Sequence, residues 1–251
     1  PGESDLLLKE SRRCADSGLG VAIHPYLDPD VNPARFGHSE GPCKAIDRIF
    51  SRAEKVRGIT GRETVLVFHP AERPFEPADT TEAEVRDQLL KASRRFLEAV
   101  EKAAAATSGI TPVAEHQVPP APGESLVRTG DTFAELIKAV CGTSLSLCWD
   151  TGHYLLSVHR KDQALYPPEG FLERVRHVHL HDVIEDKDHR PISASSEIVS
   201  QYLTRLWQSG FDGSITLEYS VDGIRSRGSA LKCVTDSVEI LEKWRTACRS
   251  A

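Results

Sequence analysis

The chain has 251 residues, of which 39% are hydrophobic and 27% are charged, and its formal net charge is −6. This composition is typical of a globular protein and excludes a mainly disordered chain. No apolar run approaches the ~20 residues that a membrane-spanning helix requires. The acidic balance argues against a nucleic-acid partner, which usually requires a basic patch, although a local patch can coexist with an acidic total.

The N-terminal residues and the cysteines bear on the compartment. The start Pro-Gly-Glu-Ser lacks the basic and apolar regions of a signal peptide. The six cysteines are scattered without CxxC spacing, which in a chain of this length indicates reduced thiols rather than a disulfide framework. We therefore expect a cytoplasmic protein. A homo-oligomer is the commonest default, but nothing in the sequence tests it.

Short apolar runs alternate with helical patterns along the chain. The predicted strands cover residues 19–24, 64–69, 111–115, 144–150, 175–181 and 214–218. The predicted helices cover residues 4–17, 41–56, 80–106, 132–140, 168–175, 197–209 and 228–244, with Asp131 as the candidate N-cap of the fourth. Short apolar runs bounded by turn residues are typical of buried parallel strands. Their alternation with helices predicts an α/β fold made of βαβ units.

Each predicted strand carries an ionisable side chain at its carboxyl end. These residues are His24, His69, Glu115, Asp150, His179 and Glu218. The strands of a (β/α)8 TIM barrel converge at that end, where active sites are built, whereas an open sheet would arrange these side chains along a line. No GxGxxG motif follows any strand. We therefore predict a single TIM-barrel domain over residues 1–251.

The strand count falls short of a complete barrel. Six strands are found where eight are needed, and the helix at 4–17 has no strand before it. We expect the domain to be N-terminally incomplete, with strand 1, helix 1 and strand 2 missing from this chain. The alternatives are a natural truncation or completion by another chain.

Four of the strand-end residues form a donor set for a divalent cation. Glu115, Asp150, His179 and Glu218 offer three carboxylates and one imidazole, a set that suits Mn²⁺, Zn²⁺, Co²⁺ or Mg²⁺. Three carboxylates this close would repel one another without a cation. We expect one metal ion, with two or three as the alternative.

Three histidines alternate in the sequence HVHLHD at residues 177–182. The two-residue period of a strand places His177, His179 and His181 on one face, so that either His179 or His181 can be the ligand. The remaining histidines of this strand are expected to pack or to support the ligands. His38, His116 and His159 are expected at the surface or in loops, and Cys148 as an apolar filler.

The segments AEHQ, CWDTGHY, HVHLHD and TLEYS resemble the xylose isomerase-like barrel superfamily, over residues 19–222. That superfamily contains sugar-phosphate isomerases and epimerases, and also endonuclease IV. The resemblance implies that Glu115, Asp150, His179 and Glu218 bind one divalent metal. It also implies that His153 contacts the substrate, as in the epimerases, or a second metal, as in the endonuclease.

Other histidines resemble the endonuclease branch. That branch adds one histidine on strand 3, one on strand 4 and an Asp-x-His after strand 7, and His24, His69 and His189 stand at the matching places. Here the aspartates, Asp186 and Asp188, lie three residues and one residue before His189 rather than two. The resemblance implies His24, His69, His153 and His189 as additional metal ligands. The altered spacing of the aspartates before His189 concerns the ligands of a third metal ion.

The favoured hypothesis is an isomerase or epimerase of a small sugar or sugar phosphate. The metal would act as a Lewis acid, Glu115 and Glu218 would remove and return a proton, and His153 would stabilise the enediolate oxygen. A dehydratase with the same enolate start belongs to this hypothesis. Substrate contacts are expected from His24, His69, His181 and Arg225. The second glutamate that sugar epimerases carry shortly after the first has no counterpart before Glu124.

Two alternatives come from other classes. An endonuclease IV-like zinc phosphodiesterase acting on abasic DNA would use zinc to activate a hydroxide. It needs a basic surface, but the segment at 25–42 carries Asp28, Asp30 and Glu40 against Arg35. A metal-free barrel that only binds a ligand or partner is disfavoured by the intact four-ligand set.

Overall fold

The computed structural model describes residues 3–25, 31–35, 41–74, 81–118, 126–130, 132–160, 162–168 and 170–250. The chain divides into two compact units, Pro1–Ser146 and Leu147–Ala251. Each unit contains parallel strands with helices between them, as the α/β prediction requires. The prediction of one single domain stays a prediction.

The first unit alternates helices with three parallel strands. Its elements are α1 (Glu3–Asp16), β1 (Val21–Ile23), a 3-10 turn (Pro33–Arg35), α2 (Gly41–Thr60), β2 (Thr64–Phe68), β3 (Glu72–Pro74), α3 (Glu82–Ala105), β4 (Ile110–Glu115), β5 (Leu126–Arg128) and α4 (Phe133–Ala139). Strand β2 pairs in parallel with β1 and with β4. Strands β3 and β5 form a separate antiparallel ribbon.

The core of the first unit lies around β2. All five residues of this strand are buried, which explains why it has no polar alternation. Phe68 at its end packs edge-on against Phe96 of α3, with ring centroids 5.8 Å apart. This packing fixes the end of β2, from which His69 follows directly.

The second unit repeats the arrangement. Its elements are β6 (Ser146–Asp150), which starts at the boundary, α5 (Thr151–His159), a 3-10 turn (Leu172–Arg174), β7 (Val175–Leu180), β8 (Asp182–Ile184), β9 (Lys187–Arg190), α6 (Glu197–Gln208), β10 (Ser214–Leu217), α7 (Val221–Ser226) and α8 (Ala230–Ser250). Strand β7 pairs in parallel with β6 and with β10. Strands β8 and β9 form a short antiparallel hairpin.

Aromatic rings form the core behind β6. Trp149 is fully buried and its ring lies 5.2 Å from that of Tyr202 and 6.2 Å from that of Phe171. Tyr154 of α5 contacts both Trp149 and Tyr202 edge-on. Because Trp149 points into this cluster, the strand alternation turns its neighbours Cys148 and Asp150 to the opposite face.

The six predicted strands are all present, with ends that differ by a few residues. The predicted helix at 168–175 is wrong, because only the turn Leu172–Arg174 forms there, next to Pro168 and to Gly170 with a φ of 80°. The N-cap of α4 is Thr132, whose hydroxyl accepts from the Glu135 N–H, while Asp131 lies outside the described residues. Among the described residues, no helix is long and apolar enough to cross a membrane.

Two helices were not predicted from the sequence. Helix α5 begins at the residue after β6, because the Asp150 side chain accepts the His153 N–H and caps it. Helix α7 has only six residues and is capped by Ser220 in the same way. Asp150 thus ends β6 and caps α5, whereas Ser220 caps α7 three residues after β10 ends at Leu217.

The N-terminus of α3 allows a test of local stability. The Thr81 hydroxyl accepts from the Glu84 N–H, and the Glu84 carboxylate accepts from the Thr81 N–H at 2.8 Å, which forms a capping box. Thr81→Ala is expected to lower the free energy of unfolding by about 1 kcal/mol, measured by urea denaturation. Thr246→Ala, at an exposed position near the carboxyl end of α8, is the control, with a change within about 0.5 kcal/mol. Equal effects of the two variants would contradict a capping role for Thr81.

Candidate metal centre

In the first unit, two histidines lie at the ends of strands, and each is followed by a proline. His24 follows β1 and precedes Pro25, and His69 follows β2 and precedes Pro70. A residue before proline is held in an extended conformation, so each histidine continues the direction of its strand. The β2–β4 register, extended by one residue, places His69 level with Glu115.

Both histidines contact the same carboxylate oxygen. The Nε2 atom of His24 lies 2.9 Å, and that of His69 3.0 Å, from Oε2 of Glu115. The Glu115 side chain is 1% exposed, whereas the two rings are 20% and 25% exposed. The structure thus brings together the three residues that the sequence predicts in this unit, with both imidazole Nε2 atoms aimed at one carboxylate oxygen.

In the second unit, the strand register selects one face for the polar residues. Asp150 of β6 pairs with His179 of β7, and Cys148 pairs with His177. His179 pairs in turn with Thr216 of β10. Residues paired across parallel strands share a face, so these side chains lie together on the face opposite Trp149.

Asp150, His179 and Glu218 converge at the carboxyl ends of β6, β7 and β10. The Nδ1 atom of His179 lies 2.9 Å from Oε2 of Glu218 and 3.8 Å from Oδ2 of Asp150. Asp150 is fully buried and His179 is 3% exposed, while Glu218 is 31% exposed. Of the two histidines that the strand alternation left open, His179 faces both carboxylates through one ring nitrogen. This contact favours His179 as the ligand, and the assignment stays a prediction.

The carboxylate of Asp150 has other partners as well. Its Oδ1 accepts the His153 backbone N–H at 2.7 Å and lies 2.9 Å from Nε2 of His181. Its Oδ2 lies 3.4 Å from Nδ1 of His153. A buried ionised carboxylate is costly unless it is hydrogen-bonded or paired with a cation. These contacts satisfy Oδ1, while Oδ2 lies 3.1 Å from Nε2 of His181 and also faces His179.

A further cluster joins α5 to the β8–β9 hairpin. One carboxylate oxygen of Asp188 lies 3.0 Å from Nδ1 of His189, and the other lies 3.9 Å from Nε2 of His153. Ring nitrogens of His153, His181 and His189 lie within 4.8 Å of one another. The sequence predicted His153 and His189 as additional ligands but did not assign Asp188.

The backbone conformation explains how Asp188 contacts His189 and His153 although it directly precedes His189. Glu185, Asp186 and His189 adopt left-handed conformations with φ between 52° and 56°. The reversed backbone at His189 allows the directly preceding Asp188 to contact it and His153. The signal available in the sequence was the adjacent Asp-His pair, but only the turn geometry shows where that pair points.

The charge state of His189 reflects its surroundings. Burial of the ring acts against protonation, but the hydrogen bond that the ring N–H donates to Asp188 and the charges of Asp188, Asp150 and Glu218 outweigh it and raise the pKa of His189 to about 8. The hydrogen bond with His189 lowers the pKa of Asp188 in turn. The two side chains therefore form an ion pair near neutral pH.

The other predicted residues are placed as follows. Arg225 is exposed and lies 3.6 Å from Asp222, and the structure does not test its predicted substrate contact. His177 is buried between the hydroxyls of Ser214 and Thr216, as expected for a supporting residue. His116 is fully buried rather than at the surface, because its loop directly continues the buried strand β4. The candidates Asp28, Asp30, His38 and Glu40 lie outside the described residues.

The donor chemistry fits a hard or borderline divalent cation. The second unit presents two carboxylates and one imidazole, and the first presents one carboxylate with two imidazoles. Oxygen and nitrogen ligands of this kind bind Mn²⁺, Mg²⁺, Co²⁺ and Zn²⁺. The donors do not distinguish among these four metals.

Comparisons with known proteins agree with this architecture. A family model described as xylose isomerase-like TIM barrel matches residues 4–244. No curated protein matches the chain. Its fold is similar to a D-tagatose 3-epimerase-like protein (TM-score 0.68, 21% identity, 100% of this chain and 85% of that chain).

Two further solved structures share the fold. One is a 3-keto-D-glucoside 4-epimerase from E. coli, with a TM-score of 0.61, 14% identity and coverage of 99% of this chain and 87% of that chain. The other is the D-psicose 3-epimerase from Clostridium cellulolyticum H10 in complex with D-tagatose. Its TM-score is 0.57 at 12% identity, with coverage of 96% and 83%. Together with the family match, these likenesses confirm the predicted α/β class and TIM-barrel family.

The ion pair in the hairpin allows a direct test. Asp188→Asn is expected to bring the pKa of His189 from about 8 towards or below its ordinary 6.5. The variant removes the negative charge that favours the protonated ring, whereas burial still disfavours it. The pKa is read from an NMR titration of the His189 ring in metal-free protein. Asp186→Asn, on the same turn but 82% exposed, is the control and should leave the pKa of His189 near 8. An unchanged pKa in the Asp188 variant would refute the pair.

The same pair makes a pH-dependent contribution to stability. Since the pKa of His189 is raised in the folded state, its contribution is fully present below 6.5 and is lost as the pH rises through about 8. Since the pKa of Asp188 is lowered, its contribution is lost as the pH falls below the ordinary value of 3.8. The difference in unfolding free energy between wild type and Asp188→Asn should therefore shrink between pH 6 and pH 9.

Proposed function

Because the chain belongs to the xylose isomerase-like TIM barrel family, we propose that it is a divalent-metal-dependent isomerase or epimerase of a small sugar or sugar phosphate. The observation that best supports this proposal is the convergence of Asp150, His179 and Glu218 at the carboxyl ends of three adjacent parallel strands. In the proposal Glu115 is the fourth ligand, as the sequence resemblance implies. Three proteins of similar fold, two sugar epimerases and one D-tagatose 3-epimerase-like protein, support the substrate class.

The proposed chemistry is proton transfer at the carbon next to a carbonyl. A bound Mn²⁺, Mg²⁺, Co²⁺ or Zn²⁺ would supply Lewis acidity that makes this carbon acid easier to deprotonate. Glu218 can act as general base or acid at its carboxylate, and His153 can donate a ring N–H to the oxygen on which negative charge develops. Glu115 would exchange the proton on the other side of the substrate.

The surroundings of Glu115 and Glu218 suit them to different roles in the proposed proton transfer. Glu218 is 31% exposed, so its carboxylate is open to a substrate from solvent. Glu115 is 1% exposed and its Oε2 is held by both His24 and His69. In the proposal, Glu218 therefore carries the faster exchange with the substrate, and Glu115 combines metal binding with a more restrained proton transfer.

A second candidate function is an endonuclease IV-like phosphodiesterase that acts on abasic DNA. Two observations favour it: His24 and His69 converge on Glu115, and Asp188 contacts both His153 and His189. A one-metal isomerase has no evident need for both clusters, whereas two or three zinc ions would use them. The net charge of −6 weighs against a DNA substrate.

Solvent exchange tests the favoured function. When the metal-loaded protein is incubated in D₂O with a panel of ketoses and ketose phosphates, we expect deuterium at the carbon beside the carbonyl of one substrate class, detected by NMR. Glu218→Gln should reduce this exchange at least about 100-fold, because general acid–base groups typically contribute 10²–10⁴-fold. Glu239→Gln, on exposed α8, is the matched control and should exchange like wild type. Absence of exchange with all ketoses, together with cleavage of an abasic-site duplex, would replace the proposal with the second candidate.

Metal content separates the two functions independently of any substrate. Protein purified without chelator is expected to hold one equivalent of Mn, Co, Mg or Zn per chain by mass spectrometry, in wild type and in His69→Ala. The His69 variant keeps the ion because His69 is not among its four proposed ligands. Two or three zinc ions in wild type, with one fewer in His69→Ala, would contradict the isomerase proposal.

A further inference from the structure

His181 uses both of its ring nitrogens inside the protein. Its Nε2 lies 2.9 Å and 3.1 Å from the two carboxylate oxygens of Asp150, and its Nδ1 accepts the His189 backbone N–H at 2.8 Å. The side chain is fully buried, and the His189 ring stacks over it at 4.3 Å with an interplanar angle of 10°. No ring nitrogen of His181 is left to contact a substrate.

These partners determine where the imidazole proton lies. A nitrogen that accepts a backbone N–H carries no proton, so Nδ1 is the bare nitrogen. The proton of the neutral ring is then on Nε2, which donates to Asp150. Only this tautomer satisfies both contacts.

The sequence reserves space for this ring at Gly152. A Cβ atom on Gly152 would lie 1.9 Å from Nδ1 and 2.0 Å from Cε1 of His181, much closer than any real contact. The glycine stands in the first turn of α5, two residues after Asp150, where any other residue would push the ring away. The position of the His181 ring beside the Asp150 carboxylate thus requires a glycine at residue 152.

We propose that His181 is a positioning residue, not a substrate ligand, which orients the Asp150 carboxylate for a bound cation and anchors the β8–β9 hairpin beside it. The inference rests on the proposed metal-dependent function. The Nε2–H of His181 lies within hydrogen-bond distance of both carboxylate oxygens of Asp150, which holds the carboxylate with Oδ2 3.8 Å from Nδ1 of His179. Partners behind a metal ligand commonly change metal affinity by about 10–100-fold when they are lost.

The second contact of His181 links this carboxylate to the hairpin. His189 has a left-handed φ of 52°, and its backbone is held on both sides, by His181 at its N–H and by the Ser220 N–H at its carbonyl at 2.9 Å. The hairpin carries Asp188, which contacts His153. One imidazole therefore positions both the ligand Asp150 and the loop that bears Asp188 and His189.

Two substitutions of His181 separate its two contacts. The amide nitrogen of glutamine falls near the position of imidazole Nε2, so His181→Gln keeps a donor to Asp150. The oxygen of asparagine falls near Nδ1, so His181→Asn keeps the acceptor for the His189 N–H and loses the donor. In a calorimetric titration of metal-free protein with Mn²⁺, we expect His181→Asn to bind about 10–100-fold more weakly than wild type and His181→Gln to bind close to wild type. Equal affinities for all three proteins, or a loss in both variants alike, would overturn the inference.

A variant that leaves the ring itself intact provides a second test. Gly152→Ala displaces His181 by steric conflict and should weaken Mn²⁺ binding by a similar factor. Gly58→Ala in α2, where a Cβ meets nothing within 4 Å, is the matched control and should leave the affinity unchanged. Wild-type affinity in Gly152→Ala would contradict the positioning role.

The tautomer can be measured without any metal. Long-range ¹H–¹⁵N correlations of the imidazole rings should show His181 protonated at Nε2 and bare at Nδ1, and a proton on Nδ1 would refute the contacts argued above. If wild type binds none of Mn²⁺, Mg²⁺, Co²⁺ and Zn²⁺, the proposed metal dependence fails, whereas this spectrum still decides the hydrogen bonds of His181. If wild type binds Mn²⁺ and His181→Asn binds it equally well, the metal-dependent function stands and the positioning role falls.

Discussion

A carboxylate that is fully removed from water must be satisfied by hydrogen bonds or by a cation, and Asp150 is in that position. Its Oδ1 caps α5 through the His153 N–H, which places the His153 ring beside the strand ends. Its other contacts fix His181, and through His181 the backbone of the hairpin. The first turn of a helix, a buried ring and a loop thus depend on one ionised group. This dependence makes the same carboxylate a well-oriented candidate ligand.

The first unit satisfies its buried carboxylate differently. Glu115 ends β4 and receives two imidazoles that come from the ends of neighbouring strands, each followed by proline. No helix cap or backbone N–H takes part in these two contacts. Both rings remain partly exposed, His24 to 20% and His69 to 25%. The two units therefore present similar donors on different supports, one carboxylate that caps a helix and one contacted by histidines from strand ends.

The resemblance implies the same strand-end ligands for sugar isomerisation and for phosphodiester hydrolysis, so the two proposed functions differ in the accessory histidines. The structure gathers them into two clusters, around Glu115 and around Asp188. The Asp188 cluster forms although its aspartate stands one residue before His189 rather than two. It forms because residues in left-handed conformations turn the backbone there. Position in the sequence is therefore a weaker guide to a loop ligand than to a strand ligand. A strand projects alternate residues predictably, whereas a loop does so only once its turns are known.

The sequence by itself determined the six strands, the long helices and the residues that end each strand, because periodicity and apolar runs are local properties. The strand alternation could not choose between His179 and His181, since both side chains point to the same face of the sheet. The contacts of each ring nitrogen with Asp150, Glu218 and the His189 N–H favour His179 as the ligand. The sequence also missed α5 and the role of Gly152. A helix capped by a strand-end carboxylate and a glycine that makes room for a distant ring are consequences of packing, which only the tertiary structure decides.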